Sequence, residues 1–188
     1  MENAHQTMHI EPAWIGQVEE ESGISIASCY QCKKCTNGCP VTFAMDIHPD
    51  QVIRLVQMGQ KERVLSCSTI WVCSACETCT TRCPNGVDVA GVMDYLKETA
   101  VRSGSDISQP NTYTFHRTFL DEIRKLGRVS ETRLIRNYML KSGELRKRLQ
   151  DRSIVGDLLL GWTMFKKGRM NFFPKKIKAR GEIRKILK

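Results

Sequence analysis

Eight of the nine cysteines stand in two runs of identical spacing. The first is Cys29, Cys32, Cys35 and Cys39, followed by Pro40; the second, forty-four residues on, is Cys73, Cys76, Cys79 and Cys83, followed by Pro84. Thiolates are soft ligands suited to zinc or iron. Three of them with two residues between neighbours let one short loop present several sulfurs to a single metal centre. The fourth starts the chain's departure, where proline fixes φ and withholds a backbone donor. Zinc sites typically offer two C-x2-C pairs a dozen or more residues apart. Here a third cysteine follows each pair at the same short interval, a fourth precedes proline, and the whole is duplicated.

Each copy, C-x2-C-x2-C-x3-C-P, resembles the run with which bacterial ferredoxins hold [4Fe-4S] clusters, so two such clusters are favoured over zinc or disulfides. In proteins with two such runs the fourth cysteine ligates the other cluster. The resemblance therefore implies Cys29, Cys32, Cys35 and Cys83 as ligands of one cluster, and Cys73, Cys76, Cys79 and Cys39 as ligands of the second. The same exchange sets Lys33, Lys34 and Arg82 beside the first cluster, against Glu77 and neutral Gly38 at the second. Local positive charge favours a reduced, more negative cluster. The first cluster is accordingly expected to have the higher potential.

These loops need elements to hold them, and the sequence between them reads as helix. Pro49, Val52, Ile53, Leu55 and Val56 precede Gly59, with proline at a first turn and glycine at a stop. After the second run, Val89, Val92, Met93, Leu96 and Ala100 recur at helical spacing, with Asp88 as cap and Gly104 as end. Further on, Phe115, Phe119, Ile123 and Leu126 form one amphipathic stretch, and Leu134, Ile135, Met139 and Leu140 another, punctuated by Gly127, Gly143 and Gly156. No stretch alternates as a strand would. The fold class expected is all-α: an N-terminal arm over 1–28, a two-cluster helical module over 29–104, and a basic helical C-terminal extension over 105–188 for partner docking.

Two such runs set among helices resemble the α-helical ferredoxin family. Within it, the Cys-Pro endings, the Ile70-Trp71-Val72-Cys73 lead-in and the basic tail are similar to the C subunit of heterodisulfide reductase and its bacterial relatives. The resemblance is specific across about residues 29 to 100. It implies a non-catalytic electron-transfer subunit of a heterodisulfide reductase-like complex, relaying electrons between a flavin-containing A-type subunit and a catalytic B-type subunit that reduces a disulfide. No cysteine precedes Cys29, unlike the iron-sulfur subunits of succinate dehydrogenase and fumarate reductase, which carry an N-terminal [2Fe-2S] domain. No two cysteines are adjacent, unlike the catalytic B-type subunits. A free-standing soluble ferredoxin, or the iron-sulfur subunit of another flavin-dependent oxidoreductase, is the alternative.

The 188 residues carry a formal charge of +9, divided very unevenly. Residues 1–115 hold eight basic and thirteen acidic side chains, whereas residues 116–188 hold twenty-one and seven. Loading two oxidised clusters onto eight thiolates takes the first half to about −9. A +14 tail beside it reads as a docking handle for an acidic partner rather than a nucleic-acid reader, since Arg146-Lys147-Arg148 and Lys166-Lys167 accompany no reader motif. Phe172, Phe173 and Lys175 to Lys178 suit a minor version of the same idea, contact with an anionic membrane. The opening from Met1 to Glu11 is polar and lacks a signal pattern, and no apolar run reaches the roughly 20 residues of a membrane span. A cytoplasmic protein without a transmembrane segment is expected. No Ser-His-Asp set, phosphate-cradling glycine loop or dinucleotide fingerprint competes with the cysteines.

The remaining conspicuous residues take ordinary roles. Cys67 reads as a small buried hydrophobe, His48 as a cap before Pro49, and Trp71 as a shield beside a cluster loop. Met93, Met139 and Met164 are expected in the core, and Trp14 with Ile15 as the anchor of the acidic segment Glu19 to Glu21.

Overall fold

The computed structural model describes residues 10–151, 154–169, 177 and 180–186. Among these, all regular structure is helical: twelve α-helices, one 3₁₀ turn and no strand. The chain divides into two compact units, Met1–Gln109 and Pro110–Lys188.

In the first unit, α1 (Trp14–Ser22), α3 (Pro49–Gln57), α4 (Lys61–Ser66), α5 (Thr69–Val72) and α7 (Val89–Ser103) enclose the core, and α2 (Lys34–Gly38) and α6 (Thr78–Thr81) carry the third cysteine of each run. Helix α3 begins as its sequence requires: proline occupies the first turn, and the His48 backbone N–H donates to Gln51 Oε1 at 2.8 Å. Val52, Ile53 and Val56 are fully buried, each worth about 1.5–3 kcal/mol of transfer free energy. The helix ends just before Gly59, whose φ of +69° suits a residue without Cβ. There the chain also needs the space, because a Cβ would stand 2.4 Å from the Glu11 carbonyl oxygen. Helix α7 is capped by Asp88, which accepts from the Gly91 N–H at 2.9 Å, and stopped by Gly104 at φ +66°. Helix α1 packs on α3 and α7. It buries Trp14 and Val18 and is tied to α7 by the Tyr95 hydroxyl donating to Glu21 at 3.0 Å.

The second unit contains α8 (Pro110–Leu126), α9 (Glu131–Ser142), α10 (Glu144–Gln150), α11 (Ile154–Lys166) and α12 (Arg180–Ile186). Helices α8 and α9 pair around a polar centre. Glu122, 1% exposed, accepts from Arg133 Nε at 3.0 Å and from Asn137 Nδ2 at 2.8 Å. Leu126 and Leu134 are buried with it, whereas Phe115, Phe119, Ile135 and Leu140 lie largely exposed. The apolar stripe read from the sequence thus enters the observed interface only in part, with Leu126 and Leu134 beside the Glu122–Arg133 pair. Phe115 packs edge-on against Tyr138 of α9 at the exposed margin, with ring centroids 5.7 Å apart.

Two further expectations change here. Gly156 lies inside α11 and does not punctuate it. Met164 is exposed, whereas Met93 is in the core. Phe172, Phe173, Lys175, Lys176 and Lys178 lie outside the described residues.

Candidate metal centre

The two cysteine runs fold alike. Among the described residues, the non-glycine positions with positive φ are Gln31, Lys33, Ala75 and Glu77. These are repeat mates, two and four positions after the first cysteine of each run. A left-handed residue bearing Cβ costs about 1–2 kcal/mol, and such strain collects where a site needs the backbone bent. Left-handed residues in a tight loop turn backbone N–H groups into a concavity that favours anions, here the thiolate sulfurs. Lys33 and Glu77 are also the left-handed caps of α2 and α6, so Cys35 and Cys79 sit in the first turn of those helices. Donors reach several sulfurs directly. Gln31 Nε2 lies 3.5 Å from Cys29 Sγ, Thr78 Oγ1 3.4 Å from Cys76 Sγ, and the Val87 N–H 3.3 Å from Cys83 Sγ.

The fourth cysteine of the first run lies with the second run. Cys39, Cys73, Cys76 and Cys79 line one cavity, with about 350 Å³ of space including its open mouth, walled by Val41, Met45, Pro49, Val89, Ala90 and Met93. Burial, and then Cys32, Cys83 and Cys29, raise the Tyr30 phenol above its ordinary value. Burial pushes the Cys35 thiol up to about 11 and raises those of Cys73 and Cys79. At exposed Cys76, hydrogen bonds from Thr78 lower it. Half-buried thiols with apolar walls hold their charge poorly alone, and a soft cationic centre supplies what they lack. Among the described residues no three of His, Cys, Asp and Glu converge on a point as ligands of a single ion do. Four thiols spread around a cavity fit a cluster with several metal corners.

The loops are braced by a second repeated device. The residue after each third cysteine is threonine. Thr36 donates to Asp50 at the start of α3, and the Asp50 N–H returns a bond to Thr36 Oγ1 at 3.1 Å. Thr80 donates to Asp88 at 2.7 Å and accepts from the Ala90 N–H at 3.2 Å. Each run is thereby fastened to the N-terminus of the long helix that follows it. Asp46 ties the two runs together. It accepts from the Ser68 N–H at 2.8 Å, the Thr69 N–H at 3.0 Å, the Thr69 hydroxyl at 2.7 Å and the Ile47 N–H at 2.9 Å. Burial alone would raise the Asp46 carboxyl, but the bonds from Thr69, Ser68 and Ile47 outweigh it and hold it at about 2. Asp46 therefore fixes the start of α5, which delivers Cys73. Gln57 of α3 likewise donates to the carbonyls of Ile26 at 3.1 Å and Cys29 at 3.0 Å.

Two observations revise the charge pattern expected from sequence. Arg82 extends across α2: a Cβ on Gly38 would stand 2.7 Å from Arg82 Cδ and 2.8 Å from Nη1. Its stem therefore lies against the residue preceding Cys39, as well as preceding Cys83 in the chain. Lys97, with 14% of its side chain exposed, lies beside Cys73, with Nζ 3.4 Å from the Cys73 carbonyl oxygen and 2.9 Å from Asp94. The second quartet thus has a paired cation nearby. Cys67 is buried, 6% exposed, and outside both quartets. Trp71 is 3% exposed, within the α5 lead-in to Cys73.

Residues 25–87, which hold both cysteine runs, match the family model described as a 4Fe-4S dicluster domain. The protein is an iron-sulfur protein carrying two [4Fe-4S] clusters. Its curated homologues are C subunits of heterodisulfide reductases, oxidoreductase complexes. It is 33% identical over 86 residues to the iron-sulfur C subunit of the CoB--CoM heterodisulfide reductase of Methanopyrus kandleri, covering 46% of this chain and 45% of the relative. It is 29% identical over 103 residues to the C subunit of the H(2):CoB-CoM heterodisulfide,ferredoxin reductase of Methanothermobacter marburgensis, covering 55% and 56%. To the C subunit of the Ferredoxin:CoB-CoM heterodisulfide reductase of Methanosarcina mazei it is 32% identical over 88 residues, covering 47% and 54%. The chain spans about half the length of these relatives. Among the described residues no helix is long and apolar enough to cross a membrane.

Proposed function

We propose that this protein is the non-catalytic electron-transfer subunit of a cytoplasmic, heterodisulfide reductase-like complex, linking a flavin-containing A-type subunit to a catalytic B-type subunit. Cys29, Cys32, Cys35 and Cys83 hold one cluster, and Cys73, Cys76, Cys79 and Cys39 the other. When bound, each cluster accepts and releases one electron. The chain's own residues ligate, insulate and brace. Val89, Ala90 and Met93 exclude water from the second quartet. The left-handed loops aim donors at sulfur, and the threonine–aspartate pairs hold the loops against the helices. The observation that supports the reading is the gathering of Cys39 with Cys73, Cys76 and Cys79, a quartet drawn from both loops, as crossed ligation of two neighbouring clusters requires.

The second unit supplies the partner surface. Helix α11 is mostly apolar, broken by Asp157, Thr163 and Lys166, yet Leu159, Leu160, Trp162 and Phe165 are between 49% and 67% exposed. A helix of that composition belongs in a protein interior, and a partner chain provides one. Lys166, Lys167 and Arg169 at its end favour an acidic rim on that partner. Anaerobic purification of the native protein should bring a flavin chain and a second, catalytic chain with it, and about eight iron atoms per copy of this subunit. Isolation as a lone monomer with both clusters would favour a free ferredoxin and refute the subunit assignment.

A further inference from the structure

The first unit is net acidic, with eight basic side chains in residues 1–109 against thirteen acidic ones. Five of the eight are satisfied within the unit. Lys61 pairs with Glu11, Lys97 with Asp94 and Arg102 with Glu98, while Arg54 and Arg63 donate to Gln57 and Gln60. The other three are Lys33, Lys34 and Arg82. Among the described residues their cationic heads have neither ion pair nor hydrogen bond, and all three are exposed. Lys33 and Lys34 lie together between Cys32 and Cys35, whereas Arg82 precedes Cys83 and reaches along Gly38, the residue before Cys39. Tyr30, 62% exposed, stands next to Cys29 in the same loop as the two lysines.

The other quartet opens differently. Cys76 is exposed between Ala75 and Glu77, and the nearby Lys97 is neutralised by Asp94. Val41 and Met45 of its wall flank the 3₁₀ turn Thr42–Ala44, which holds Phe43 out at 88% exposure. The first edge thus carries two adjacent lysines without ion pairs among the described residues, whereas the second carries Glu77 and the paired Lys97.

We propose that the Cys29–Cys32–Cys35–Cys83 edge is a cationic electron port, flanked by Tyr30, Lys33 and Lys34, at which a redox protein with an acidic surface docks in a salt-sensitive encounter. The proposal rests on the ligand sets assigned above and names the chemistry of a partner for one of them. Lys33 and Lys34, adjacent in the loop and without an ion pair among the described residues, act as a single local field. That field offsets the negative unit around it and steers an acidic surface onto the one edge where transfer is short. The phenol of Tyr30 gives such a partner a flat, amphipathic contact beside the sulfurs.

The test uses the full-length protein with both clusters reduced by dithionite, excess reductant removed, and stopped-flow oxidation by ferricyanide. Each ferricyanide takes one electron from one cluster and leaves as ferrocyanide, with no proton or bond exchanged. The rate should fall about tenfold between low and moderate salt. Lys33→Gln with Lys34→Gln should flatten that dependence, and Lys166→Gln with Lys167→Gln in the second unit should not. Polyglutamate, standing in for an acidic protein surface, should slow oxidation of the native protein and not of the Lys33/Lys34 variant. EPR-monitored midpoints of both clusters are recorded alongside. A variant that slows only in proportion to a changed midpoint makes the lysines tuning groups and overturns the port. So does an unchanged salt dependence, or one lost in the second-unit variant instead. Absence of the two clusters from the purified protein overturns the ligand assignment itself; intact clusters with the wrong salt dependence overturn the port alone.

Discussion

Substituting Asp46 by asparagine removes the charge that anchors α5, and with it the segment leading into Cys73. The native carboxyl is held at about 2 against an ordinary 3.8. At about 1.4 kcal/mol per pH unit, that depression corresponds to about 2.5 kcal/mol before screening. Asp46 is more than a third exposed, and solvent screening cuts the value to about 1 kcal/mol. Because the folded value is depressed, the contribution is fully present above about pH 4 and is lost as pH falls through about 2. At neutral pH only substitution removes it. The assay is the bleaching of the clusters' visible absorption in urea at neutral pH, without oxygen. Asp46→Asn should bleach about fivefold faster than the native protein, the rate equivalent of about 1 kcal/mol. Glu62→Gln, a change at an exposed helix position, should not. Equal bleaching of Asp46→Asn and the native protein would refute the claim that a carboxylate 23 residues from Thr69 anchors the second run.

Gly59→Ala places a Cβ 2.4 Å from the Glu11 carbonyl at a φ of +69°, and should cost at least about 2 kcal/mol in denaturant titrations. Glu122→Ala leaves Arg133 and Asn137 without their acceptor inside the α8–α9 pair. It should cost about 3 kcal/mol, measured by far-UV circular dichroism, with Glu122→Leu losing less. Cys67→Ala should retain full iron content and both EPR signals, at a packing cost of about 1 kcal/mol.

The cysteine repeat was legible because metal ligation fixes spacing in the chain itself. Helices α3 and α7 were legible because Pro49, Asp88 and Gly104 mark their ends and their buried residues recur at the helical period. The bends at Gln31, Lys33, Ala75 and Glu77 were not, since propensity assigns positive φ to glycine and here packing around the sulfurs overrides it. Asp46 and Lys97 escaped notice because each acts across more than twenty residues on a backbone group, which leaves no local pattern. The threonine after each third cysteine did leave a signal, Thr36 and Thr80 being repeat mates, but its aspartate partners lie at unequal distances along the chain. In the second unit, hydrophobic periodicity found Leu126 and Leu134 but gave no sign of the Glu122–Arg133 pair buried beside them, while Phe115 and Phe119 stay largely exposed.

The crossed ligand sets are tested most directly by counting iron in two double variants. If Cys32 and Cys83 serve one cluster, Cys32→Ala with Cys83→Ala spares the other, and the protein keeps about four iron atoms and one reduced-state EPR signal. Cys32→Ala with Cys39→Ala then damages both clusters, leaving neither intact. The opposite result, one cluster surviving in the Cys32/Cys39 variant and none in the Cys32/Cys83 variant, would mean that each run closes on its own metal and would contradict the account.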